Sequence, residues 1–170
     1  KKLIKKLKSK KYLVKSHHLK PSLVKNKRAK IVKYPHNQTP RSNILSFFKI
    51  IQWLLIYRIY FFGKFFYPKH IHLFDRYADD LLIDPIRYRF KLNINLSKFL
   101  LSFFPRPDLW IILSGDPKEI WRRKKEIDFK ILKKLMLEYI KFSKDKKNFL
   151  YFRKNKDIKI IEKKIINLIK

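Results

Sequence analysis

Apolar and charged positions fall along this chain in blocks whose spacing predicts the elements. Leu3, Ile4 and Leu7 sit at i, i+1 and i+4 among lysines, one face of a very basic helix over residues 1–10. Tyr12-Leu13-Val14 is a short strand, and His17-His18 just after it would point apart if the strand continued. Residues 20–43 gather Pro21, Pro35 and Pro40 with Asn37, Gln38, Thr39, Ser42 and Asn43, a long loop of the kind that usually carries function. Residues 44–62 are an apolar run interrupted by Lys49, Gln52 and Arg58. As a helix this run would be about 28 Å long, close to bilayer thickness. Each internal charge would cost about 2.5–3.5 kcal/mol at mid-membrane. Pro40, Gly63 and Pro68 frame it instead as a long buried helix of a soluble domain.

From His70 onward the period changes. Ile71-His72-Leu73-Phe74 predicts a strand that delivers Asp75-Arg76-Tyr77 at its carboxyl end. Asp84-Pro85 has the form of a cap followed by proline at the first helical position. Leu109-Trp110-Ile111-Ile112-Leu113 is a continuous apolar run, which suits a strand buried on both faces of a parallel sheet. Asp116-Pro117-Lys118-Glu119 opens a helix directly after it, and a second helix spans about Asp128 to Phe142. Phe149 to Phe152 is one more strand, and Ile158, Ile161, Ile165 and Leu168 mark one face of a last helix. Strands alternating with helices predict an α/β layered fold with a mainly parallel sheet. Ligands of such sheets sit beyond the carboxyl ends of the strands, where Asp75-Arg76 and Gly115-Asp116 both fall.

Composition sharpens this picture. Fifteen Phe, nine Tyr and three Trp in 170 residues exclude a disordered chain despite the charge, and the length suits one domain. Cysteine is absent, which excludes disulfides, thiolate metal sites and cysteine nucleophiles. Glycine occurs only at Gly63 and Gly115, so a glycine-rich phosphate loop has no place in these residues. Lys and Arg number 44 against 13 Asp and Glu, a formal charge of +31, and no acidic residue precedes Asp75. Such a field favours anionic partners: nucleotides, nucleic acid or an anionic membrane. Lysine, isoleucine, asparagine, phenylalanine and tyrosine also share A/T-rich codons, so base composition supplies a competing origin for the charge. The histidines show no metal-ligand spacing, and Trp53 and Trp110 read as core. No signal-peptide pattern is present, and the expected location is cytoplasmic.

The stretch Phe74-Asp75-Arg76-Tyr77-Ala78-Asp79-Asp80-Leu81-Leu82-Ile83-Asp84-Pro85-Ile86-Arg87-Tyr88-Arg89 resembles the Asp-Arg-Tyr segment of thymidylate kinase-like proteins. The likeness is greatest to the branch that continues into Asp-Pro-x-Arg-Tyr-Arg. Pro107-Asp108 through Leu113 resembles the family's fourth core strand, and Asp116-Pro117 with Arg123-Lys124-Lys125-Glu126 resembles the helix and lid start. His18-Leu19-Lys20-Pro21 and Pro35-His36 through Pro40-Arg41-Ser42 are also similar to this branch. The resemblance implies one domain over 1–170 with a three-layer P-loop kinase-like fold, and a lid at 121–128. Its implied activity is transfer of the ATP γ-phosphate to a nucleoside monophosphate or similar acceptor, with Mg²⁺. Arg76 would then hold an acceptor phosphate, because a guanidinium fork matches phosphate oxygens. Asp75 would orient Mg²⁺-bound water or the acceptor; Arg122, Arg123 and Lys124 would be lid charges. His18, Arg41 and Tyr77 would contact the acceptor, and the 44–62 helix would serve a homodimer.

One departure is large. The family's G-x-x-x-x-G-K-[ST] loop is not present: Gly63-Lys64 is followed by Phe65, and Arg58 stands where the earlier glycine belongs. The chain begins Lys1-Lys2-Leu3 without methionine, and residues 3–7 resemble the helix that follows that loop. The expectation is therefore a fold lacking its first strand and phosphate loop, inactive in phosphoryl transfer as it stands. Two alternatives remain open at this point. One is a non-catalytic relative acting as a binding module; the other is a basic protein for nucleic acid or anionic membrane, engaged through residues 1–33 and the apolar helix.

Overall fold

The computed structural model describes residues 2–21, 35–62, 70–123, 125, 127–144, 146, 148–152 and 158–169. The chain divides into two compact units, residues 7–105 and residues 1–6 with 106–170. Helices and short parallel strands are mixed in each, as the α/β pattern predicts.

In the unit of residues 7–105, strand β1 (Leu13–His18) pairs in parallel with β2 (His70–Asp75), in register from Leu13 opposite His70 to His18 opposite Asp75. Helix α2 (Asn43–Phe62) makes the crossover, as a parallel connection requires. It is only half a core helix. Ser46, Ile50, Trp53 and Tyr57 are buried at i, i+4, i+7 and i+11, whereas Ile44, Phe48, Leu55, Ile59 and Phe62 are 55–79% exposed. The expectation of a buried helix is corrected accordingly: one face is core, and the other is an apolar stripe in the open. Alone among the described helices, α2 is long and apolar enough to cross a membrane.

Tyr57 is the hub of this core. Its ring packs on Phe61, Phe74, Tyr77 and Phe104, with centroids 5.0–6.3 Å away. Burying its oxygen requires a partner, and the hydroxyl donates to the carbonyl of Leu19. On the same strand pair, His17 Nε2 lies 3.1 Å from His72 Nδ1 and 2.9 Å from the Tyr60 hydroxyl. His18 points the other way, as expected for adjacent strand residues.

After β2 the chain forms a short helix α3 (Asp80–Ile83) and a 3-10 turn (Ile86–Tyr88). The helix expected to start at Asp84-Pro85 is therefore displaced. Asp84 ends α3, Pro85 caps the 3-10 turn, and the Asp84 carboxylate goes to His36 Nε2 at 2.9 Å instead of to a helix amide. Helix α4 (Ile94–Ser102) follows, capped by Asn93, whose Oδ1 accepts from the amides of Asn95 and Leu96 at 2.9 and 3.3 Å. The sequence reading passed over this helix.

In the other unit, β3 (Trp110–Leu113) pairs in parallel with β4 (Phe149–Phe152) through helices α5 (Pro117–Arg123) and α6 (Phe129–Lys144). Both helices start where their aspartates predict. Asp116 Oδ1 accepts from the amide of Lys118 at 2.6 Å, and Asp128 Oδ1 from that of Lys130 at 2.7 Å. β3 is not covered on both faces: Leu113 is 73% exposed. The last helix, α7 (Ile158–Ile169), buries Ile161 and Ile165, while Leu168 is half exposed. Glu162 on α7 is buried and is held by Lys6 of α1 (Lys2–Ser9) at 2.6 Å.

Candidate functional site

The carboxyl ends of β1 and β2 are built alike. His18 and Asp75 are register partners, and the residue after each turns left-handed: Leu19 at φ 65° and Arg76 at φ 73°. For residues with a Cβ this conformation costs on the order of 1 kcal/mol or more, and it persists where the surroundings over-determine it. The Leu19 amide donates to the Asp75 carbonyl at 2.9 Å, which locks the two turns together. Both strands thus break off sharply, and the next side chains gather at one edge.

His18 Nδ1 lies 3.1 Å from Asp75 Oδ2, with both side chains in solvent. This pair is open to a ligand. Arg76 turns inward instead. Its Nη1 is 3.1 Å from Asp80 Oδ2 and 3.5 Å from the Tyr88 hydroxyl, which itself donates to Asp80 Oδ2 at 3.2 Å. Burial, and then the Asp80 charge, hold the Tyr88 phenol well above its ordinary pKa, against the opposing pull of Arg76. The phenol therefore stays protonated and serves as a fixed donor. Arg76, Asp80 and Tyr88 all belong to the Asp-Arg-Tyr to Arg-Tyr-Arg stretch, and their mutual bonds give that stretch a physical reason.

Arg41 joins this edge through its backbone, its amide donating to the Arg89 carbonyl at 3.0 Å, while Arg89 Nε donates to the Thr39 carbonyl at 2.8 Å. Tyr77 is placed otherwise. It is buried, and its hydroxyl donates to the Pro105 carbonyl, so the phenol is used inside the core. Arg122 and Arg123 lie exposed in the last turn of α5, in the other unit, and Lys124 lies outside the described residues. The neighbouring segment folds on itself: Trp121 Nε1 donates to the Ile127 carbonyl at 3.0 Å, and Lys125 Nζ lies 5.4 Å from the Trp121 ring centre. The structure therefore places His18, Arg41, Asp75 and Arg76 in one unit and brings His18 and Asp75 into contact.

The sequence reading missed Lys20, Lys49, Asp80, Tyr88 and Arg89. Lys49 donates to the Tyr88 carbonyl and lies 5.4 Å from the Trp53 ring centre. Its signal was a lone lysine inside an apolar run, read as an interruption. Asp80 stands four residues after Arg76, a spacing that would have suggested the pair.

ATP and Mg²⁺ are the groups that the resemblance implies for these residues. The residues hold no glycine-rich cradle, and among the described residues no group of three His, Asp or Glu side chains is arranged to hold a metal ion. Asp75, the one expected magnesium contact, is an exposed carboxylate facing His18. No protein-family model, curated protein or solved structure matches the chain.

Proposed function

We propose that this chain binds a phosphate-bearing acceptor, a nucleotide or a similar small molecule, at the carboxyl edge of β1 and β2. In this reading it is the acceptor-binding part of a thymidylate kinase-like phosphotransferase. The observation that carries it is the left-handed Arg76 at the strand end, its guanidinium held by Asp80 and Tyr88, one residue past the open His18–Asp75 pair. A guanidinium held this way is pre-organised to grip phosphate oxygens. His18 and Arg41 would add contacts from the neighbouring turns. The 170 residues contain no glycine-rich phosphate loop, so the proposal covers the acceptor side alone. A cytoplasmic location is proposed together with this function.

Calorimetric titration with nucleoside monophosphates tests this. Saturable binding that Arg76→Ala weakens about tenfold or more supports it, since a charged hydrogen bond contributes about 1.5–3 kcal/mol. Binding indifferent to Arg76 but falling steeply with salt, and stronger for long nucleic acid, would support the basic binding protein instead. A homodimer through α2 is proposed alongside, on the strength of its exposed apolar stripe.

A further inference from the structure

Lys49 stands in a setting that none of the roles above explains. Its side chain is half-buried on α2, with its ammonium 5.4 Å from the Trp53 ring centre and 5.9 Å from that of Tyr88. Lys20, just past β1, lies over the same Trp53 ring at 5.9 Å. Arg41 comes from the segment ahead of α2 and Arg89 from the turn after Tyr88, joined by their backbone hydrogen bond. Three separate stretches of chain and α2 thus bring four cations to one place. Among the described residues, none of the four is ion-paired to a carboxylate. Arg76, by contrast, is paired with Asp80.

We infer that Lys20, Arg41, Lys49 and Arg89 form a receptor for a compact dianion, a phosphomonoester or inorganic phosphate, separate from the contact at Arg76. Converging like charges destabilise the empty protein, and a doubly charged oxyanion removes that repulsion. Three observations narrow the ligand. Trp53 is 5% exposed and already covered by two ammonium groups, so it offers no face for a base to stack on. Four positive charges in one neighbourhood suit the double charge of a monoester better than the single charge of a diester. Aromatic rings beneath the ammonium groups hold them in place without neutralising them.

The charge state of Lys49 supports the same conclusion. Burial first, then Arg41, Lys20 and Arg89, push its pKa down to about 8. Every charge named there is positive. A bound dianion reverses the effect, so binding near pH 8 draws a proton onto Lys49. This inference rests on the reading above only for the choice of strand edge, and different variants test the two.

The test is calorimetric titration of the purified chain with inorganic phosphate at about pH 8, in two buffers of different ionisation enthalpy. Saturable binding with proton uptake is expected. Lys49→Gln weakens it about tenfold or more, and Lys49→Arg retains it while abolishing the proton uptake. Phosphate and nucleoside monophosphates that bind without displacing each other support two separate sites, whereas competition between them would merge the receptor with the contact at Arg76 and overturn the proposal. Equal losses in Lys49→Gln and Lys133→Gln, the latter exposed on α6, would reduce the effect to diffuse charge and overturn the proposal. So would wild-type affinity in both Lys49 variants. Should Lys49→Gln not fold, Arg41→Gln, at an exposed side chain, reads the same loss.

Discussion

His36 and Asp84 meet 48 residues apart in sequence, Nε2 to Oδ1 at 2.9 Å, with each side chain 5% exposed. This bond fastens the 3-10 turn Pro35–Asn37 to the end of α3, and so frames the edge at which Arg41 and Arg89 gather. Asp84→Ala leaves a buried imidazole without its acceptor and is expected to cost about 3 kcal/mol. Asp84→Asn keeps an acceptor and should cost about 1 kcal/mol. Urea unfolding followed by circular dichroism measures both; equal midpoints for the two variants would show that the hydrogen bond contributes nothing beyond packing.

Lys49 gives stability an alkaline optimum. Its folded pKa of about 8 lies below the ordinary 10.5, so between these values the unfolded chain holds a proton that the folded chain has released. Its contribution therefore rises with pH through that window and is lost as pH falls through 8. Tyr57, Tyr77 and Tyr88 act in the opposite sense. Burial raises their folded pKa values above 10.0, so the stability they supply is present below 10.0 and is lost as pH rises beyond it. Urea midpoints should climb from pH 8 to about 10 and then fall. In Lys49→Met the climb should vanish and stability at neutral pH should increase, because a repelled half-buried charge is gone. A Lys49→Met chain as pH-sensitive as the wild type would refute this assignment.

Arg76 carries its guanidinium on a backbone better suited to glycine. At φ 73°, Arg76→Gly relieves strain that Arg76→Ala keeps, while both lose the bond to Asp80. The glycine variant should be the more stable of the two by about 0.5–1 kcal/mol, and equally impaired in nucleotide binding. Thermal unfolding of the pair, with one binding titration each, decides it.

The open face of α2 makes a separate prediction. Phe48 and Leu55 are 62% and 55% exposed and touch the core little. Phe48→Glu with Leu55→Lys should leave the unfolding temperature within a few degrees of the wild type, since exposed positions usually shift stability by about 0.5 kcal/mol or less. The same double variant should sediment as a monomer where the wild type sediments as a dimer. A wild-type chain that is already monomeric at high concentration would remove the dimer proposal.

Local signals were legible in the sequence wherever the cause was local. Asp116 and Asp128 cap the helices they announce, Ile161 and Ile165 mark the buried face of α7, and the run before Asp75 is a parallel strand. Asp84 misled because its partner is His36, far away in sequence, and a distant acid–imidazole bond leaves no periodic trace. The cation group was hidden for the same reason. Lys20, Arg41, Lys49 and Arg89 sit in four different sequence contexts, in a chain with 44 Lys and Arg to choose from. Leu19 and Arg76 are left-handed without being glycine or asparagine, so no residue-type rule would have marked the two strand ends as turning alike.

The parallel pairing of β1 and β2 sets the order in which this unit must fold. His18 and Asp75 are separated by 57 residues, and α2 lies between them. Closing a loop of that length costs roughly 3–4 kcal/mol of chain entropy before the first ladder bond forms. Helix α2, whose contacts with itself are local, repays none of that until its buried face, with Ile50, Trp53 and Tyr57, packs, as Tyr57 does on Phe74 of β2. Strand pairing is therefore expected late, with a transition state organised around the buried face of α2. Truncations at those three residues slow refolding, whereas changes within β1 chiefly hasten unfolding.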